Sequence, residues 1–216
     1  PRAYNFWPAR IATTTDGEIL ISGNVSIPFA FAPAIMKLSA DGALMTNFGT
    51  EGVQLYSEFN LGTGGVGSML VEAGRVVFNG NTAAGVVLDD IVTNDSVVGA
   101  ADLTTGRLLP GFGAGGFLRW DWGYANSNIV GPMVPNGRGG YTTCGHVIKS
   151  FVTGQPAALV DVTASGQADT SVPYQGRRLI AQTNNAQCAG LVRLPDGRLA
   201  AAINEGGQAV VMFFDR

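Results

Sequence analysis

Two ladders of glycine, each recurring about every 60 residues, constrain this chain more than any other feature. The first falls at Gly17, Gly74, Gly139 and Gly197, with spacings of 57, 65 and 58 residues. Each of these glycines separates two short, largely apolar stretches: residues 11–17 lead into 18–24, 69–74 into 75–81, 133–139 into 140–146, and 191–197 into 198–204. A tight turn between antiparallel strands often needs positive φ, which glycine supplies at little cost, so Asp16-Gly17 and Asp196-Gly197 read as hairpin turns. A third apolar stretch follows at 34–38, 97–101, 157–161 and 209–213. The second ladder is Gly52, Gly116 and Gly176, spaced by 64 and 60 residues, and each member introduces a fourth stretch at 53–56, 117–120 or 177–180.

Four brief strands per unit, repeated four times, predict an all-β chain and specifically a small β-propeller of four blades with four antiparallel strands each. The expected blades are about 11–59, 68–123, 130–182, and 189–216 together with 2–7, in one domain. A Gly-rich β-sandwich or a β-solenoid whose turns happen to align is the alternative. Closure has its own signal. The fourth unit stops after its third strand, while the first has residues to spare before Ile11, so residues 2–7 are expected to pair with 210–214 and remove an exposed edge. A linear solenoid would call for polar caps, and the C-terminus is apolar almost to its end.

Composition narrows the function. Charged residues are 13% of the chain and hydrophobic residues 46%, yet no apolar run approaches the roughly 18 residues of a membrane-spanning helix. A net charge of -3 and only two lysines, Lys37 and Lys149, leave no basic face for nucleic acid or for an anionic membrane. The chain opens at Pro1 without a Met, which points to a processed or trimmed product. Together with the Gly/Asn/Thr-rich, lysine-poor make-up, this predicts an extracytoplasmic protein. Cys144 and Cys188 either form a disulfide in an oxidising compartment or stand as two buried thiols.

The Asp-Gly turn with its apolar strand ending in Gly-Asn (residues 16–24), followed by Ala-Asp-Gly-Ala-Leu and Phe-Gly-Thr-x-Gly (residues 40–52), resembles the bacterial delta-60 repeat. Residues 108–116 and 194–199 are similar to its two characteristic pieces, and Val172-Pro173 stands where the third copy should carry Phe-Gly. The resemblance implies a propeller in an exported or surface-associated bacterial protein, and it brings no shared catalytic motif.

A few positions break or mark the repeat. Asn24, Asn81, His146 and Asn204 occupy one equivalent place after the second strand. They read either as a ligand-binding ring around one mouth or, for the asparagines, as turn caps. His146, the only histidine, lies two residues from Cys144 and so on the same face of a strand. The pair suggests a metal or a thiol–imidazole couple, but one His and two Cys do not make a closed zinc site. Residues 82–95 depart furthest from the repeat, and their Asp89, Asp90 and Asp95 would suit a calcium ion, or simply form a solvated acidic loop. An ion held in the central channel is a further cofactor option. No recognised catalytic signature is present. The leading expectation is therefore a non-enzymatic binding or assembly module, with a protein partner or self-association, and without nucleic acid or a transmembrane segment. The alternative is a hydrolase or lyase with its pocket at a mouth near His146.

Overall fold

The computed structural model describes residues 5–27, 30–57, 66–88, 91–120, 122, 126–128, 131–148, 155–181 and 185–215. Their strands are β1 (Phe6–Thr13), β2 (Ile19–Ile27), β3 (Ala30–Leu38), β4 (Val53–Leu55), β5 (Val66–Glu72), β6 (Arg75–Leu88), β7 (Ile91–Asp102), β8 (Phe117–Trp120), β9 (Asn126–Asn128), β10 (Met133–Pro135), β11 (Tyr141–Ile148), β12 (Ala157–Val162), β13 (Arg177–Ala181), β14 (Ala186–Arg193), β15 (Leu199–Glu205) and β16 (Gln208–Phe214). Among the described residues there is no α-helix, and so no helix long and apolar enough to cross a membrane; a 3-10 turn lies at Pro173–Gly176.

The strands form four antiparallel meanders in chain order: β1-β2-β3-β4, β5-β6-β7-β8, β10-β11-β12-β13, and the three-stranded β14-β15-β16. The turn glycines sit between the first and second strand of each meander, as the first ladder predicts. Registers coincide from one to the next. Ile11 opposes Ile21, Met69 opposes Phe78, Met133 opposes Thr143 and Leu191 opposes Ala201, each at the same rung counted from its turn. The first strands of the first, second and fourth meanders even share an irregularity, at Pro8/Arg10, Val66/Ser68 and Cys188/Gly190. Such a bulge adds a residue and bends the strand.

Each meander buries its neighbour's face. Leu20, Ile35, Phe48 and Tyr56 of the first pack with Met69, Val76 and Phe78 of the second. Val77, Val98 and Ala100 of the second pack with Met133, Tyr141 and Val160 of the third. Cys144, Ala157 and Leu159 of the third pack with Ala186, Ala201 and Ile203 of the fourth. No buried cluster among the described residues joins the fourth meander to the first.

The Phe-Gly pieces and the glycines Gly106 and Gly166, which end polar turns after β7 and β12, form the latch at the first two junctions. Phe48 is fully buried against Gly106 of the next meander, and Phe112 takes the same seat at Gly166. A methyl group on Gly106 would stand 2.9 Å from Phe48 Cζ, and one on Gly166 would stand 2.5 Å from Phe112 Cδ1. The amide of Gly49 donates to the Thr105 carbonyl at 2.9 Å, and that of Gly113 to the Ser165 carbonyl at 2.8 Å. With φ at +76° as well, both seats need glycine twice over, for conformation and for space.

Two expectations are corrected. Phe6 and Trp7 pair with Val25 and Asn24 of β2, because the first hairpin continues past its bulge; they are not a closing strand on the fourth meander. Residues 2–4 of that expected strand lie outside the described residues. Residues 82–88 and 91–95 are strand rather than a loop inserted into the repeat. The β6–β7 ladder simply runs on through Thr82↔Asp95 and Ala83↔Asn94 to Leu88↔Ile91. A strand the sequence did not reveal, β9, then pairs with β7 at Asn94↔Asn126 and with β11 from His146↔Asn128 to Ile148↔Asn126, joining the second and third meanders into one sheet.

Candidate functional site

The four equivalent polar positions lie inside strands rather than after them, since β2, β6, β11 and β15 all continue beyond. Asn24 sits between Trp7 and Pro33, half-buried. Asn81 is buried opposite Ser96, His146 is half-buried between Asn128 and Ala157, and Asn204 is exposed between Gln187 and Ala209. They share a rung of four separate meanders. At each of them the backbone is engaged in ladder pairing. Burial pushes the His146 imidazole below its ordinary value, so it is neutral at pH 7.

Cys144 on β11 and Cys188 on β14 are joined as a disulfide, with Cα atoms 5.8 Å apart and 44 residues between them in sequence. A thiol–imidazole couple at Cys144 and His146 is thereby overturned, since the sulfur is neither a nucleophile nor a ligand when oxidised. Asp89 and Asp90 lie outside the described residues. Asp95 is buried and takes the Nε–H of Arg119, so its carboxylate is already paired. Among the described residues, no group of three or more His, Cys, Asp or Glu side chains is placed to hold a metal.

Charged groups gather instead at the turn end, beside the first glycine ladder. Lys37, almost wholly buried, pairs with Glu18 at 2.8 Å and donates to the Leu103 carbonyl at 3.0 Å, tying the first meander to the second. Arg75 bonds Glu72 at 2.8 Å, the Tyr141 hydroxyl at 2.6 Å and the Ala164 carbonyl at 3.2 Å, and Tyr141 donates to Glu72 at 2.7 Å. Burial first, and the Glu72 carboxylate second, hold the Tyr141 phenol above its ordinary value. Between the third and fourth meanders, Asn136, Arg138, Arg193, Asp196, Arg198 and Asp215 line an open cleft of about 440 Å³. Arg138 pairs there with Asp169, and Arg198 with Asp196, each at 2.8 Å. The hydrogen bond from Arg198 holds the Asp196 carboxyl below its ordinary value. The signal for this rim was present in the sequence as arginines adjoining the turn glycines, at 75, 138 and 198.

The two end faces are the other outstanding surfaces. On the fourth meander Val192, Ala202, Val211 and Phe213 point away from the third, and Val211 and Phe213 are each 58% exposed. The residues at the rung of Val211 in the other meanders, Ile35, Val98 and Leu159, are at most 1% exposed, because the next meander covers them. On the first meander Ile11 is 69% exposed, where Met69 and Met133 at the same rung are 7% and 4% exposed. Half-buried Ile19, Ile21 and Met36 share that face. The fourth meander thus presents the apolar face that the internal junctions bury, and the first presents part of the opposite one, around Ile11, while Val25, Ala34 and Val53 on that face are buried.

The fold and these surfaces define an all-β protein of consecutive antiparallel meanders. No family model and no curated protein matches the chain. Among solved structures, an endo-arabinase from Bacteroides thetaiotaomicron VPI-5482 is similar at a TM-score of 0.46 and 11% identity, over 100% of this chain and 78% of that one. A hypothetical protein from Leishmania major is similar at a TM-score of 0.26 and 12% identity, over 99% of this chain and 86% of that one. Likenesses at these values carry no inference about what the chain does.

Proposed function

We propose that this chain is a β-propeller-type binding and assembly module of the delta-60 repeat kind, working outside the cytoplasm. The observation that carries the assembly role is the pair of exposed apolar end faces, whose rungs are covered at all three internal junctions. Burying apolar surface is the main driving force of association, and a contiguous uncovered patch of this sort marks an interaction surface. The four consecutive antiparallel meanders, each packed face to face on the next, support the propeller reading. The Cys144–Cys188 disulfide supports an oxidising compartment, where such bonds persist.

Hydroxyl-radical footprinting of the protein, purified and in the cells that express it, tests this reading. Phe213, Val211 and Ile11 are expected to be labelled far less in the native preparation than after mild dissociation with denaturant. Full labelling of both end faces in every native preparation would sink it.

A further inference from the structure

We propose that the occupant of the end faces is a second copy of this chain, seated head to tail, with the fourth meander of one copy on the first meander of the next. The inference rests on the assembly reading above and names its partner. Each internal junction joins two different faces: the outward face of one meander, centred on Ile35, Val98 or Leu159, and the inward face of its successor, where Met69, Met133 or Leu191 stands at the rung of Ile11. The fourth meander offers an outward face exposed at Val211 and Phe213, and the first an inward face exposed at Ile11, with Ile19, Ile21 and Met36 half-buried and Val25, Ala34 and Val53 already buried beside them. They are the two complementary halves of one more junction of the kind the chain already makes three times. Gly42 agrees with this. It holds the place in the first meander that Gly106 and Gly166 hold in theirs, yet among the described residues nothing lies within 4 Å of where its Cβ would stand.

The contact is heterologous, so it produces a closed ring when the rotation closes and an open series when it does not. Two copies supply eight meanders, which is within the range of about four to eight blades that closed propellers use. Self-pairing of like faces is disfavoured by the same comparison, since no internal junction sets outward against outward or inward against inward.

The test is the mass of the full chain by light scattering across micromolar concentrations, for the unmodified protein, for Phe213→Asp and for Ile11→Asp. Both substituted side chains are largely exposed, and unchanged circular dichroism and melting verify the fold. The unmodified chain is expected at twice its 22.4 kDa, and each variant alone at the single-chain mass, with the dissociation constant raised by about a hundredfold or more. An equimolar mixture of the two variants keeps one intact junction, from the Phe213 face of one to the Ile11 face of the other, and is expected to regain the two-chain species. An open ladder of masses abolished by the same variants is the same contact without closure. A monomer at every concentration overturns the proposal whatever the variants do. So does an assembly that ignores both substitutions, or one that responds to only one of them. A monomer whose end faces nonetheless resist footprinting removes the second copy and leaves the junction reading standing, whereas a monomer with freely labelled faces removes both.

Discussion

Removing the disulfide should cost this protein about 4 kcal/mol of stability. Cys144 and Cys188 are 44 residues apart, and cross-linking a loop of that length removes conformational freedom from the unfolded chain worth about that much at 25 °C. For a chain of this size each kcal/mol moves the melting temperature by about 2 °C, so the predicted fall is about 8–9 °C. The bond crosses the junction between the third and fourth meanders, among Ala157, Ala181, Ala186 and Ile203. The loss is therefore expected to be local first: in hydrogen exchange, β14 to β16 should open before β5 to β8. Cys144→Ala together with Cys188→Ala is the cleaner perturbation, since a serine would leave an extra hydroxyl in an apolar cluster. The assay is guanidinium and thermal unfolding of the oxidised protein, the reduced protein and the double variant, with thiol titration to establish the redox state. A midpoint shift worth less than about 1 kcal/mol on complete reduction would refute the argument, as would two reactive thiols in the native, unreduced protein.

Three further outcomes follow from single contacts. Glu18→Gln is expected to destabilise by about 3 kcal/mol because it strands the buried Lys37 ammonium, whereas Lys37→Met, which removes the charge itself, should cost distinctly less; chemical denaturation of the two variants checks the order. Gly106→Ala should cost about 2–4 kcal/mol, from a positive φ and the crowding of Phe48 together. Gly42→Ala, with a similar φ but open space, should cost only about 1 kcal/mol, and equal losses at the two sites would remove the seat as an explanation. His146 has its protonation disfavoured by burial, so the unfolded chain binds that proton more readily. Its contribution is intact above the ordinary imidazole value of 6.5 and is lost as pH falls below it towards the lower folded value. His146→Asn, which installs the residue found at the equivalent rung of the other meanders, should flatten the acid side of the stability–pH profile, read from melting temperatures between pH 7 and 5.

The hairpins were legible because their signals are local. A turn glycine between two apolar stretches fixes a pair of strands within about ten residues, and β8, at 117–120, begins and ends where its sequence pattern does. What escaped depends on contacts distant in sequence. Residues 126–128 read as Asn-Ser-Asn, with no apolar alternation to announce a strand, and β9 exists only because β7 and β11 offer it partners. The length of β6 and β7 was missed for a related reason: the cluster Asp89-Asp90 looks like a loop, while the ladder on either side of it continues. The fate of Phe6 and Trp7 turned on a bulge near Pro8 that no residue type there declares. For the site, the polar series was visible but its meaning was not, because whether Asn24 or His146 ends a strand or lies within it is set by how far the neighbouring strand extends.

The Phe-Gly turns, their glycine seats and the cysteines turn out to be parts of one scheme. At the first two junctions a Phe-Gly turn enters a glycine seat on the next meander, Phe48 at Gly106 and Phe112 at Gly166, so each latch joins one copy of the repeat to its successor. A buried phenylalanine contributes about 2–3 kcal/mol, and the accompanying amide bond between meanders about 1 kcal/mol more. The third junction has Val172-Pro173 in place of Phe-Gly, and there the disulfide crosses, with a contribution of about 4 kcal/mol. A covalent link thus stands where the repeat's own latch has been lost, at a comparable strength. Applied to the fourth junction the comparison is pointed: Gly42 is a seat without a ring, and no cysteine remains beyond the bonded pair. What is left to hold that junction is apolar surface alone, on Ile11 and Phe213, which makes it the one junction in the scheme whose strength depends on protein concentration.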